Sequence, residues 1–431
     1  MKGLLISAPG SNQGKTIVTA GLLALLRQEL GDEQVVGAKA GPDYIDTAYL
    51  GARSNLGLSL DPWGMRPGTI FALLAEQPAS MLLVEGTMGL FDGSADRGKG
   101  SSADLAILLG LPVVLVVDVS GMSQSIAAVV SGFVQHNPDV NVAGVILNRV
   151  GSPRHESLLR AALASIDVAI LGVVPRSAAL AIESRHLGLI QAGEQISAYK
   201  AQQRWADALR PHLNLKAIIE LFSVLRRDDR QQAGFSLAKD RRLAIASDAA
   251  FRFCYGHWWH EDSLPFSPLA NEPIPGDAEA VFLPGGYPEL HLDVLARSDR
   301  FWRSLKNAAH SGVPIYGECG GYMVLGEGIQ DDAGQWYEGA ELLPFRSSFQ
   351  ARQRHLGYRR LRALTDTPFF AAGSVFRAHE FHYCSIVQQQ NTNLFSAGDA
   401  AGSILSAQGH LRGSVFGSFM HLIDQDQLNM V

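Results

Sequence analysis

The sequence predicts an α/β protein of two domains, each organised on a largely parallel sheet. Three observations carry that expectation. Apolar β-type runs alternate with helix-patterned segments, which places strands side by side in parallel with helices over both faces. A glycine-bearing turn leading into Lys15-Thr16 joins the first such run to the first helix. A second glycine turn, around Cys319, joins another apolar run to the segment behind it. At 431 residues the chain exceeds one ordinary core.

The first domain opens with a strand over Gly3 to Ser7 and a helix over Thr16 to Leu30. Further strands are expected over Val35 to Lys39, Met81 to Glu85, Val113 to Asp118, Val142 to Asn148 and Ile170 to Val174. Between the first strand and helix runs Ala8-Pro-Gly-Ser-Asn-Gln-Gly-Lys-Thr16. Backbone N–H groups of such a loop, here Gly10, Ser11, Asn12, Gln13 and Gly14, cradle phosphates; Lys15 neutralises them and the Thr16 hydroxyl is a Mg²⁺ ligand. Pro9 stands where a full phosphate-loop pattern has glycine. Open parallel sheets hold ligands at strand C-termini, which makes Glu85 and Asp43 candidate partners of Thr16 on Mg²⁺. Asn148, ending its strand, is a candidate reader of an adenine edge. A nucleotide is the ligand these features suit.

Residues Gln195 to Leu225 read as helical, and the charged stretch Arg226 to Arg242 as a linker. The expected division is therefore 1–195, a helical segment and linker over 196–241, and 242–431. The second domain begins at Leu243-Ala-Ile-Ala, continues through Ala280-Val-Phe-Leu-Pro-Gly-Gly and the cysteine turn, and ends with β-like segments at Glu380 to Val387 and Ser414 to His421.

In Val313-Pro-Ile-Tyr-Gly-Glu-Cys-Gly-Gly-Tyr322 an apolar run stops at a cysteine among glycines. Glycines let the chain bend sharply and bring N–H groups to a developing oxyanion. Cys319 thus reads as a nucleophile on a strand-to-helix turn, against the ordinary fate of a lone cysteine as core packing. A cysteine nucleophile needs a base, and a histidine elsewhere in the chain is the usual partner.

Composition excludes several classes. A formal charge of −6 offers no footprint for nucleic acid. Apolar runs such as Leu111 to Val119 are too short to cross a bilayer, and the first residues do not read as a secretory leader. Cys254, Cys319 and Cys384 are odd in number and widely spaced, as reduced thiols of a cytoplasmic protein would be. His379 and His382, three apart on an extended segment, face opposite ways, and His257 and His260 lack further ligands, so neither pair is expected to bind a metal.

The motifs taken together resemble one family. Lys39-Ala-Gly-Pro-Asp-Tyr-Ile-Asp, Val84-Glu-Gly-Thr-Met-Gly-Leu-Phe-Asp-Gly93, Ser102-Ala-Asp-Leu-Ala, Leu147-Asn-Arg-Val-Gly-Ser-Pro-Arg-His155 and Ser184-Arg-His-Leu-Gly-Leu occur in order. They are followed by Pro284-Gly-Gly-Tyr-Pro-Glu-Leu-His291, the cysteine turn, His379-Glu-Phe-His-Tyr and Gly417-Ser-Phe-Met-His-Leu. This series is similar to the cobyrinic or hydrogenobyrinic acid a,c-diamide synthases over nearly the whole chain.

The resemblance implies a P-loop ATPase domain similar to dethiobiotin synthetase and the ParA/MinD ATPases, followed by a class I glutamine amidotransferase domain. It implies ATP- and Mg²⁺-dependent amidation of the a and c acetates of a corrinoid polycarboxylate, with nitrogen from glutamine and no tightly bound organic cofactor. His421 matches the family's catalytic histidine. Gly285 and Gly286, with Gly320, resemble the oxyanion pocket. Many class I enzymes carry an acid two residues beyond the histidine; Ile423 stands there, so a Cys–His dyad is expected, with Asp424 a weak candidate for orienting His421. Tyr44, Ile45, Asp46, Asp92, Arg185 and His186 lie in motifs that relatives use around the corrin ring; Arg149 and Arg176 could add positive charge.

The chain departs from the family pattern at Asn12, Thr47, Leu50 and Ser59, which leaves open another tetrapyrrole acid such as Ni-sirohydrochlorin, or the side chains used by cobyric acid synthases. A nucleotide-switched binding protein with a relict second domain is the reading of another class. A homodimer is left open.

Overall fold

In a computed structural model the chain divides into two compact units, Met1–Ala233 and Gly234–Val431. The structure describes residues 1–43, 47–51, 57–94, 99–181, 194–226, 236–238 and 240–426.

The first unit is a sheet whose parallel strands run in the order Leu58–Leu60, Val35–Ala40, Met81–Glu85, Lys2–Ser7, Val113–Asp118, Val142–Val150 and Ala169–Pro175. Its central strands are apolar throughout because both faces are covered: Leu4, Leu5, Ile6 and Val113 to Val117 are all fully buried. Each expected strand of this unit is present. The helix Lys15–Leu30 buries Val18, Leu22, Leu23, Leu25 and Leu26 in the core, and ends at Gly31, whose N–H donates to Arg27 O. The helix Ser102–Leu109 opens with a reciprocal cap between Ser101 and Asp104 and closes at Gly110 with φ 70°, the start and stop signals of a short helix.

The expected helical stretch 195–225 is interrupted. A helix covers Glu194–Leu209, a second, Leu215–Glu220, starts at the capping side chain of Asn214, and Ser223–Val224 pairs antiparallel with the first strand. Pro211 lacks the N–H that would continue the first helix. Trp205 and Leu209 pack onto Gly21 of the helix Lys15–Leu30, where a Cβ would meet Leu209 at 2.6 Å, so this stretch is part of the first unit's core.

The second unit holds a six-stranded sheet in the order Leu264–Phe266, Leu243–Ala246, Ala280–Leu283, Ile315–Glu318, Val415–Ser418 and His410–Arg412, parallel but for the last. A mixed four-stranded sheet and an antiparallel five-stranded sheet accompany it. The latter includes His355–Ala363, Val375–His382 and Met420–Asp426. The segment expected as one β-run from Ser414 to His421 is two strands in different sheets. Val415–Ser418 lies in the parallel sheet and Met420–Asp426 in the antiparallel one, with the change at buried Phe419. Both stretches are apolar because each is buried, so periodicity alone does not reveal the switch.

Candidate active sites

The first unit's candidate site lies at the C-terminal ends of Lys2–Ser7, Val35–Ala40 and Met81–Glu85. Gly14, with φ 93°, turns the loop into the helix; a Cβ there would stand 2.3 Å from Asn148 Nδ2, so both space and backbone require glycine. Ser11 and Asn12 are exposed on the loop, while Lys15 is buried at its base. The Lys15 ammonium donates to Gly10 O at 2.9 Å and to Met88 O, which ties the loop to the 88–92 turn. Asp92 accepts from Gly89 N–H at 2.9 Å and closes that turn.

Thr16 Oγ1 donates to Glu85 Oε1 at 2.7 Å. The same oxygen is 2.7 Å from Lys39 Nζ, which is also 3.4 Å from Asp43 Oδ2. Thr16, Glu85 and Asp43 therefore converge, with an ammonium among them. Lys39 was not among the residues singled out from the sequence. The signal available was a lysine ending an otherwise apolar strand; it is 3% exposed in the structure.

Asn148 is turned to the loop: its Nδ2 donates to Gln13 O at 2.8 Å and its Oδ1 accepts from Arg149 N–H at 3.0 Å. Gln13 Oε1 accepts from Asp118 N–H at 2.8 Å, and Asp118 pairs with Arg149. Leu50 is fully buried in the core beside the helix Lys15–Leu30. Thr47 Oγ1 bonds the Asp43 carbonyl, and Ser59 sits opposite Lys39 in the sheet. Tyr44, Ile45, Asp46, Arg185 and His186 lie outside the described residues.

The second candidate site is built on Ile315–Glu318 at the centre of its sheet. Cys319 follows directly with φ 46° and ψ −107°, and a short helix, Gly320–Leu325, begins behind it. A non-glycine residue in that backbone region is strained and marks a tight turn. Close packing holds it: a Cβ at Gly321 would be 1.9 Å from Leu283 O, and one at Gly320 would be 2.7 Å from Pro288 Cδ.

Cys319 and His421 share one pocket. A Cβ placed on Gly285 would be 3.1 Å from His421 Nε2 and 3.2 Å from Cys319 Cβ, so the imidazole and the base of the cysteine side chain lie against the same glycine, while the thiol donates to Phe381 O at 3.4 Å. The sheet switch explains this: Ser418 pairs beside Glu318, and after Phe419 the new strand carries His421 back over the turn, opposite His379. Gly285 is thus the floor beneath the imidazole. The N–H groups of Gly320 and Gly286 point at the Cys319 sulfur and favour its thiolate, as an oxyanion pocket would require. Burial and the Glu289 charge outweigh them and push the thiol up, so it is protonated at rest. Burial, with the nearby His379 and His382, brings His421 down to about 3. A neutral thiol beside a neutral imidazole results.

A further acid enters the site from an unexpected direction. Glu318 Oε2 is 3.7 Å from His421 Nδ1, while Oε1 accepts from Leu422 N–H at 2.9 Å and Tyr316 OH at 3.0 Å. Burial raises Glu318 to about 8 against those two donors. The acid next to His421 therefore precedes the nucleophile in sequence instead of following the histidine. Asp424 sits where its charge acts on His257. Adjacency of Glu318 to Cys319 was visible in the sequence; its direction was not, because it depends on which sheet receives residue 421.

Among the described residues, one group brings three ligating atoms within 4.8 Å of one another: His355, Glu380 and His382. Glu380 and His382 share a strand face and His355 is His382's cross-strand partner, an arrangement that comparing only His379 with His382 overlooks. The rings of His355 and His382 are stacked at 4.5 Å and 12°. Parallel stacked rings cannot both hold one ion in their planes, and Glu380 is already bound by Arg359 at 2.6 Å.

Residues 4–190 match the CobQ/CobB/MinD/ParA nucleotide binding domain, and residues 259–427 the CobB/CobQ-like glutamine amidotransferase domain. The hydrogenobyrinate a,c-diamide synthase of Brucella suis is 49% identical, covering 98% of this chain and 99% of that one. Those of Rhizobium meliloti and Mesorhizobium japonicum are 46% and 42% identical, over 98% of this chain and 99% and 98% of theirs. The chain belongs to this family. Its activity is that of a glutamine-dependent amidating ligase: a nucleotide-binding domain is followed in the same polypeptide by a glutaminase-type domain. No helix of the described residues is long and apolar enough to cross a membrane.

Proposed function

We propose that the chain converts the a and c acetate carboxylates of hydrogenobyrinic acid, or of its cobalt form, to amides, using ATP and glutamine, in the cytoplasm. The observation that carries this reading is the near end-to-end identity to relatives of that name, spanning both candidate sites. A carboxylate is a poor electrophile. ATP makes it an acyl phosphate, with Lys15 neutralising phosphate oxygens, and ammonia then displaces phosphate.

Thr16, Glu85 and Asp43 suit a hard cation, since all three offer oxygen and a phosphate would complete the set. They are the residues that would hold Mg²⁺, whose role is to offset phosphate charge. Lys39 occupies this cluster and in our reading swings toward phosphate oxygens when nucleotide enters.

In the second unit Cys319 passes its proton to His421, and its sulfur adds to the side-chain amide of glutamine. The Gly320 and Gly286 N–H groups receive the oxyanion. Positive charge on His421 favours the ionised form of Glu318, and once that carboxyl has given its proton to solvent the resulting ion pair offsets the burial that disfavours charge on His421. The proton is then given to the leaving ammonia, and water releases glutamate from the thioester. Glu318 is a positioning residue in this scheme.

The test is product analysis by mass spectrometry. The purified chain with ATP, Mg²⁺ and glutamine is given hydrogenobyrinic acid, cobyrinic acid and Ni-sirohydrochlorin in parallel. Diamide formed at positions a and c of a corrinoid is expected; amides only on Ni-sirohydrochlorin, or only at other corrinoid positions, would refute the substrate assignment.

A further inference from the structure

Next to the nucleophile lies a carboxylate that the steps above do not use. Glu289 sits on a single turn, Pro288–Leu290, directly after the Gly285-Gly286 segment. The preceding Pro288 is in contact range of Gly320, the residue behind the nucleophile. Glu289 is half-buried as a residue, yet its Oε2 is sealed from solvent and has no hydrogen-bond partner. A buried carboxylate oxygen without a donor costs free energy in the empty protein, and a structure keeps one where a ligand supplies the missing donor. Its charge is the largest single electrostatic influence on Cys319 and also acts on Cys384. Burial raises it to about 8, against a hydrogen bond from its own backbone N–H and the Arg352 charge.

The ligand that must occupy this pocket carries its own cation. Glutamine's amide carbon has to reach the Cys319 sulfur, and its α-ammonium lies a few bonds farther along the same molecule. Resting on the glutaminase reading of this site, we propose that Glu289 receives the α-ammonium of glutamine, and so distinguishes the free amino acid from other primary amides. The protein group lost from water is then paired only when the correct substrate is present, which converts a penalty of the free state into selectivity. An ammonium arriving beside Glu289 also favours its ionised form, so glutamine binding releases a proton at neutral pH. The other occupant of comparable chemistry is a small inorganic or buffer cation; it would bind without regard to the amide.

The experiment compares glutamine with 4-carbamoylbutyrate, which keeps the amide and one carboxylate but lacks the α-amino group. Hydrolysis by the full chain is followed by ammonia release. Wild type is expected to favour glutamine in kcat/KM by on the order of 10²-fold. In Glu289→Gln the preference should collapse to within about threefold, chiefly through KM for glutamine, with Glu289→Asp recovering part of it. Circular dichroism and the thermal midpoint check that each variant is folded. Should Glu289→Gln misfold, potassium and ammonium titrations of wild-type glutamine hydrolysis provide the second measurement: weak competition by ammonium but none by potassium is expected, and equal competition would overturn the proposal in favour of a nonspecific cation site. A folded Glu289→Gln that keeps the wild-type preference overturns it as well. Wild type that releases no ammonia from glutamine at all would instead refute the glutaminase reading, and so the two failures are distinct.

Discussion

The two candidate sites occupy the same place in their sheets, at the C-terminal ends of parallel strands, but they manage charge in opposite ways. In the first unit, groups of opposite charge are already paired: Lys39 lies between Glu85 and Asp43, and Thr16 bonds Glu85. In the second, burial keeps the groups neutral. His421 is brought down to about 3, Glu318 and Glu289 are brought up to about 8, and the Cys319 thiol is raised. A site for a polyanionic nucleotide needs fixed positive charge that can exchange partners. A site that moves one proton from sulfur to nitrogen to a leaving group needs its inventory uncharged until substrate arrives, because stray charge there would trap the proton.

That contrast is broken most severely at the nucleophile. Cys319→Ala should reduce glutamine-dependent amidation by at least about 10³-fold, while amidation from added ammonium persists, because the first unit's chemistry needs only the amine. Loss of both in a folded protein would end the separation of roles. Lys15→Ala is the counterpart. Without the ammonium, phosphate charge is uncompensated, and synthesis should fall by roughly 10²- to 10³-fold with either nitrogen source; turnover at the wild-type rate would place the nucleotide elsewhere. Glu318→Gln keeps the donors from Leu422 and Tyr316 partly satisfied but removes the group that can ionise beside His421 once the imidazole takes a proton. A drop of about 10²-fold in kcat for glutamine hydrolysis is expected, with KM little changed.

The parts of these sites that were legible in the sequence are the local ones. The phosphate loop and the cysteine turn are each contiguous, and their glycines mark the sharp turns in the sequence even though the groups that exclude a Cβ there, Asn148 at Gly14 and Leu283 at Gly321, belong to distant segments. Strand positions in the first unit were legible because a doubly covered parallel sheet writes its strands as apolar runs between helices. What depends on pairing between distant segments was not. Lys39 meets Glu85 only because Val35–Ala40 and Met81–Glu85 are neighbours in register. Glu318 meets His421 only because the chain leaves one sheet after Ser418 and enters another at Met420. The same change of sheet, with a register shift between Arg377 and Ala378 opposite residues 422–424, leaves the acid after the histidine, Asp424, acting on His257.

The charge contrast also has a thermal signature. Glu318 and Glu289 hold protons in the folded state up to about 8 but release them near 4.5 when unfolded, so their contribution is complete below 4.5 and is lost as pH rises through 8. His421 runs the other way: lowered from 6.5 to about 3, it contributes fully above 6.5 and loses that contribution as pH falls through 3. Between 4.5 and 6.5 the effects oppose each other, and above 6.5 the carboxyls act alone. The second unit's melting midpoint should therefore drop by roughly 5 °C from pH 6.5 to 8. In Glu318→Gln about half of that slope should disappear; a slope identical to wild type would mean that Glu318 ionises without penalty.

The smallest effect is expected at Asp424, and it is the one that decides between two acids for one histidine. Asp424 is buried, follows His421 at nearly the family-typical distance, and would be the first choice if sequence proximity governed orientation. Geometry assigns the position to Glu318, 3.7 Å from Nδ1. Asp424→Asn preserves shape and the bond from Gln425 N–H to Asp424 Oδ1, so it tests charge alone. Glutamine hydrolysis in this variant should stay within about threefold of wild type in kcat, whereas the pH dependence of signals from His257 should shift toward still lower pH, because the negative charge that raises its proton affinity is gone. If Asp424→Asn instead matched the loss in Glu318→Gln, the imidazole would be oriented from its own strand, and the strand adjacent to the nucleophile would be serving only as scaffold.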